Sequence, residues 1–223
     1  MISQAVLTSL VRQSYDPIPI GLFDKVVTFQ DATACLKRVN DTLTISLPGT
    51  ESEANVKTDI DVEVFAHSIL GGLHEGFWTP VPGLASLLLD DLKKAPKVSI
   101  AGHSEGAARA GCLALWCWLN GVDVAQLSLY ESPRFCFARG QEILAQTVAN
   151  GTNAVSTQNG NEFVRDPVPH LPLDLPPLFP YVFPFPNEPQ LKLISIEPGG
   201  WLEDMNPLGW HDMRLIEEWG QTD

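Results

Sequence analysis

Residues 97–111, KVSIAGHSEGAARAG, decide the fold. KVSIA is a short apolar run with the β-branched content of a buried strand. GHSEG, residues 102–106, is a turn in which a serine stands between two glycines. EGAARAG opens a run through Gly121 that reads as a helix with small residues in its first two turns. A strand, a sharp turn and a helix in that order raise a serine to a strained apex at the edge of a sheet, with its hydroxyl exposed. The glycines answer a steric demand, because a Cβ at either place would meet the neighbouring strand or helix. Ala107, Ala108 and Gly111 extend that demand along the helix. Backbone N–H groups at the helix start favour negative charge developing near Ser104.

Outward from this stretch, strands alternate with helices. SQAVLTSLVRQ has helical periodicity with Ser3 as N-cap, and DPIPIG breaks it. TACLKRV and TLTISLPG flank Asn40-Asp41 as a hairpin. A helix is predicted from Pro82 to Lys94, a strand over VAQLSLYES, a helix over GQEILAQTVANG, and later strands at NEFV and LKLISIE. WHDMRLIEEWG closes as a short helix. This alternation implies an α/β class, with a mostly parallel central sheet and helices on both faces. With no internal repeat and no linker, residues 1–223 read as one domain. Nine prolines lie between Asp166 and Pro189. Apolar side chains interleave them, and leaving Phe179, Tyr181, Phe183 and Phe185 in water is costly, so the expectation is an ordered extended loop.

Fourteen basic residues against 27 acidic ones give a net charge of −13, which argues against nucleic acid and anionic membrane surfaces as partners. The first residues lack a basic start and an apolar core of signal-peptide length, so a cytoplasmic protein is expected. No apolar run approaches the ~18 residues of a membrane span, so no stable membrane insertion is expected. Cys35, Cys112, Cys117 and Cys136 have no metal-ligand spacing and read as buried reduced thiols. No metal and no cofactor is called for, and oligomeric state is not legible.

A serine hydroxyl attacks a carbonyl only when a base takes its proton and an acid orients that base. In this architecture the chain order is serine, acid, histidine. His67 and His74 precede Ser104, His103 adjoins it and points away, and His170 lies close behind the acid candidates. His211, after the turn EPGG and at the opening of the final helix, is left as the base. For the acid, Asp166 follows NEFV and precedes a proline; Glu162, Asp174 and Asp204 also satisfy the order, and spacing gives Asp166 only a small lead. An oxyanion hole requires two backbone donors. The Glu105 amide is one, and Thr50, after TISLPG, offers the other, although Pro48-Gly49 reads equally well as an ordinary turn. An inward-facing Glu105 carboxylate would weaken such a hole, so it is expected to face solvent or a cation.

Several stretches together resemble the class 3 lipases, the fungal triacylglycerol-lipase-like branch of the α/β-hydrolases. ISLPGT is similar to the family's strand ending in Phe-Arg-Gly-Thr or -Ser, and HEGF at 74–77 to its His-x-Gly-Phe. GHSEG matches Gly-His-Ser-x-Gly, SPRF its Pro-Arg pair, DPVPHLP its Asp-x-Val-Pro-x-Leu-Pro, and HDM at 211–213 its histidine context. The resemblance runs in order from about residue 30 to 216. It implies an α/β-hydrolase fold and hydrolysis of small-molecule esters or lipids. Ser104 would be nucleophile, Asp166 acid and His211 base, with Thr50 and Glu105 at the oxyanion hole. Phospholipase A1 or thioesterase chemistry, or a catalytically idle lipid-binding relative, are the alternatives. The lid of fungal lipases corresponds to residues 51–61, which are polar here and lack an aromatic anchor, so short to medium acyl chains with weak or absent interfacial activation are expected. Residues 167–189 should rise beside the site, with Phe179, Phe183, Leu173, Leu175 and Leu178 as acyl-chain walls.

Overall fold

In a computed structural model, residues 1–15, 21–49, 64–157 and 193–195 are described, with the backbone alone at 153, 155–157 and 193–195. Turn chemistry sets the first sheet contacts. Strands β1 (Lys25–Phe29), β2 (Ala32–Val39) and β3 (Thr42–Leu47) form an antiparallel meander with two-residue connections. Gln30 (φ 53°) and Asn40 (φ 55°) hold the left-handed backbone that such tight reversals need. The β2–β3 hairpin forms at the turn the sequence predicts. β1 was not foreseen: five residues on a sheet edge, mostly exposed, give too little periodic signal.

From β3 onward the sheet is parallel. The order is β1-β2-β3-β6-β7-β8-β9, where β6 is Lys97–His103, β7 Val124–Tyr130, β8 Gly151–Thr157 and β9 Leu193–Ser195. β4 (Val64–His67) and β5 (Gly71–His74) form a separate antiparallel hairpin. β9 falls inside the predicted LKLISIE. β8 does not coincide with any predicted strand. GTNAVST is too polar to announce itself, and it becomes a strand through its pairing with β7. NEFV and the closing helix lie outside the described residues.

The helices follow their end signals. α1 (Gln4–Gln13) starts at Ser3, whose hydroxyl accepts the Val6 N–H. α2 is the single turn Glu75–Trp78, and α3 spans Val81–Lys94. Lys93 and Lys94 complement the C-terminal dipole of α3, and Ala95 before Pro96 turns extended, as a pre-proline residue prefers. α4 (Glu105–Leu119) and α5 (Ala138–Thr147) follow β6 and β7. Among the described residues no helix is long and apolar enough to cross a membrane.

The two sheet faces are packed differently. Leu43, Ile45, Leu47, Val98, Ile100, Leu127 and Leu129 form one core with α3, α4 and α5. On the opposite face Ile2, Leu7 and Val11, at and within α1, cover Ala101, Tyr130 and Ala154. All four cysteines are buried and unpaired. Burial pushes the Cys35 thiol up to about 11 and the Cys117 thiol up to about 12. The same desolvation raises those of Cys112 and Cys136.

Candidate active site

Strand β6 delivers the chain to Ser104 and α4 carries it away, so the serine occupies the predicted strand–turn–helix apex. Its backbone has φ 57° and ψ −131°, a conformation that costs a non-glycine residue of order 1–3 kcal/mol. Neighbouring strands hold it there. The Ser104 N–H donates to the Tyr130 carbonyl at the end of β7 (2.9 Å), and its carbonyl accepts from Ala107 N–H (2.9 Å) and Ala108 N–H (3.3 Å). As N-cap it makes no side-chain bond to the helix, so its hydroxyl is not spent on capping.

The flanking glycines are sterically required. A Cβ on Gly102 would run into the Gly106 carbonyl, and one on Gly106 into the carbonyls of Leu47 and Pro48. The loop after β3 therefore lies directly against the start of α4. Gly49 in that loop lies against the serine itself: a Cβ there would stand 2.9 Å from Ser104 Cβ and 2.6 Å from the Tyr15 hydroxyl. One expectation needs correcting. Ser104 is 3% exposed rather than standing open above the sheet edge, because Gly49 and the neighbouring strand ends pack closely around it.

A hydroxyl from α1's end organises this region. The Tyr15 hydroxyl accepts the Gly49 N–H at 2.8 Å and lies 2.6 Å from His103 Nδ1. His103, buried and edge-on to the Tyr15 ring, thus faces Tyr15. His74 is wholly buried and stacked on Phe77, with ring centroids 4.1 Å apart, so the His-x-Gly-Phe motif forms a packed aromatic pair. One residue beyond the carbonyl that holds Ser104, Glu131 is fully buried with φ 52°, and its N–H donates to the Ala154 carbonyl at 2.8 Å. Spacing could not have revealed Tyr15, which lies 34 and 88 residues from its two partners.

Glu105 opens α4, so its amide belongs to the positive end of that helix. Its carboxylate meets a cation, as expected: Glu105 Oε1 is 2.5 Å from Arg109 Nη2, one helical turn on. The same guanidinium reaches Asp31 in the β1–β2 turn. Nη2 is 2.5 Å from Asp31 Oδ2, and Nη1 donates to the Asp31 carbonyl at 3.0 Å. The Arg109 side chain is 5% exposed and that of Glu105 17%, against 69% for Asp31. The Glu105–Arg109 spacing was visible in the sequence; the Asp31 end was not.

Thr50, Asp166, His211, Phe179 and Phe183 lie outside the described residues, as do the lid-like segment 51–61 and the proline-rich loop. Among the described residues no three His, Cys, Asp or Glu side chains converge as a metal site.

No protein-family model and no curated protein matches the sequence. Solved structures do match. A Rhizomucor miehei triacylglyceride lipase aligns over 76% of this chain and 73% of its own, at 23% identity and TM-score 0.63. A triacylglycerol lipase whose catalytic centre is a serine protease triad aligns over the same shares, at 24% identity and TM-score 0.63. The mono- and diacylglycerol lipase of Aspergillus oryzae aligns over 66% of this chain and 55% of its own, at 25% identity and TM-score 0.53. What these likenesses carry is architecture: the chain has the α/β-hydrolase fold of the fungal lipases.

Proposed function

We propose that this protein is a serine carboxylic-ester hydrolase working through an acyl-enzyme. The observation that carries the reading is the strained Ser104 at the β6–α4 elbow, with its hydroxyl unused in capping and Gly49 seated against it. Strain held in place by surrounding packing points to function rather than to folding. Ser104 Oγ attacks the ester carbonyl while His211 takes its proton, and Asp166 holds the imidazole in the required tautomer. The amides of Glu105 and Thr50 receive the oxyanion. Collapse passes the proton from His211 to the leaving alkoxide, and water, activated by the same base, releases the carboxylic acid. A serine triad in a lipase of the same fold supports this assignment.

For substrate class, the polar residues 51–61 support water-soluble esters of short to medium chain over emulsified triglyceride. Phe179 and Phe183 are proposed as acyl-chain contacts. A p-nitrophenyl ester series assayed on wild type and Ser104→Ala tests the reading. Wild-type hydrolysis is expected, with a loss of at least ~10³-fold in the variant and fluorophosphonate labelling confined to Ser104. Equal rates in the two proteins, or none in either, would sink it. A jump in rate on long-chain triglyceride above its solubility limit would overturn the chain-length assignment alone, and phospholipid or thioester preference would redirect the substrate class.

A further inference from the structure

We infer that Arg109 is a positioning residue for the oxyanion hole, because it neutralises a carboxylate that the sequence puts beside the developing negative charge. The inference rests on the hydrolase reading above. Glu105 supplies an oxyanion amide by virtue of following the nucleophile, yet its own side chain carries the same sign as the oxyanion. An unscreened carboxylate within a few ångströms of that position opposes the transition state more than the ground state, since the carbonyl oxygen gains charge only on attack. Arg109 answers this locally. Its Nη2 holds Glu105 Oε1 at 2.5 Å, and its side chain is almost wholly buried, so the pair is poorly screened by solvent.

The second half of the arrangement fixes where the pair sits. The same Nη2 also reaches the Asp31 carboxylate, and Nη1 donates to the Asp31 carbonyl. A guanidinium held at both terminal nitrogens is left few rotamers. It draws the Glu105 carboxylate along the helix toward the β1–β2 turn and fastens the first turn of α4 to the antiparallel edge of the sheet. The amide of Glu105 is therefore set by a chain running from the β1–β2 turn through Arg109, not by the elbow alone. Arg109 acts through Glu105, the residue it holds.

The test separates charge from packing. Arg109→Gln keeps a planar amide of similar reach but leaves the Glu105 charge exposed to the site. Its kcat on a p-nitrophenyl ester should fall about tenfold, with KM within about twofold. Arg109→Lys, which restores the positive charge, should recover most of that loss. Glu105→Gln combined with Arg109→Gln should recover it as well, because no carboxylate remains to be neutralised. Thermal unfolding of all three variants gives the packing contribution. Equal kcat in wild type and Arg109→Gln would overturn the inference. So would a loss of equal size in all three variants, which would mark a structural role. If wild type itself hydrolyses no ester and Ser104 is not labelled, the hydrolase reading has failed, and that result is distinct from either.

Discussion

The two faces of the central sheet are built from the same strands but by different chemistry. On the α3–α5 side, Ile45, Leu47, Ile100, Leu127 and Leu129 are buried among aliphatic partners. Alternate residues of the same strands (Thr44, Ser46, Ser99 and Ser128) are equally buried on the α1 side, yet carry hydroxyls. α1 meets that face with polar groups of its own. Gln126 accepts the Ile2 N–H and donates to the Ile2 carbonyl, both at 3.0 Å. The Tyr130 hydroxyl donates to Gln4 Oε1 at 2.6 Å, and Gln4 Nε2 reaches Thr152 at 3.4 Å. One face thus stabilises by non-directional burial. The other orients a single helix by directional bonds, and just past that helix's C-cap stands Tyr15, beside Gly49 and His103.

The contrast can be broken by substitution. Ile100→Ala, at a fully buried aliphatic position, should cost about 2–5 kcal/mol in urea unfolding, with Leu7→Ala under α1 at ~2 kcal/mol. Equal losses would mean that the α1 face carries as much of the core as its opposite. Tyr15→Phe removes only the hydroxyl and should cost about 1 kcal/mol. Its kcat on soluble esters should nonetheless drop several-fold at nearly constant KM, because the Gly49 loop loses its anchor. An unchanged kcat would make α1 a cover and nothing more.

Smaller effects sharpen the picture. Among the described residues the buried Thr44 hydroxyl has no hydrogen-bond partner, so Thr44→Val should raise stability by about 0.5–1 kcal/mol. A loss would show that the polar layer needs that hydroxyl. The smallest effect lies at the exposed edge. The Arg38 N–H, bonded at 2.6 Å, holds the Asp24 carboxyl below its ordinary value of 3.8, with Lys37 assisting. A group lowered on folding contributes above its unfolded pKa and loses that contribution as pH falls through the folded one. Asp24→Asn should therefore remove a few tenths of a kcal/mol at pH 7 and almost nothing below about pH 3, read from Tm against pH.

How much of this was legible follows from the range of the interactions. The elbow was readable because Gly102, Ser104, Gly106 and the small residues after them act within one strand, turn and helix. The β2–β3 hairpin was readable from Asn40 and its alternating flanks. β8 was not, because GTNAVST becomes a strand only beside β7, and a lone sequence does not display its neighbour. The hydroxyl of Tyr15 and the carboxylate of Asp31 were invisible for the same reason, since what each touches lies more than 30 residues away. Glu131 was passed over because a glutamate at the end of a strand gives no sequence sign that its backbone will turn left-handed.

The polar seat of α1 also sets an order of assembly. The side chains that receive its start by hydrogen bonds (Gln126, Ser128, Tyr130 and Thr152) come 124 to 148 residues later in the chain. The apolar side of α1 meets β3 and β6, but these polar bonds are incomplete until β7 and β8 are in place, and closing so long a loop is slow compared with forming the β1–β3 meander. The sheet around the elbow serine therefore forms before the polar bonds that fix α1, and with it the Tyr15 hydroxyl beside Gly49, are complete.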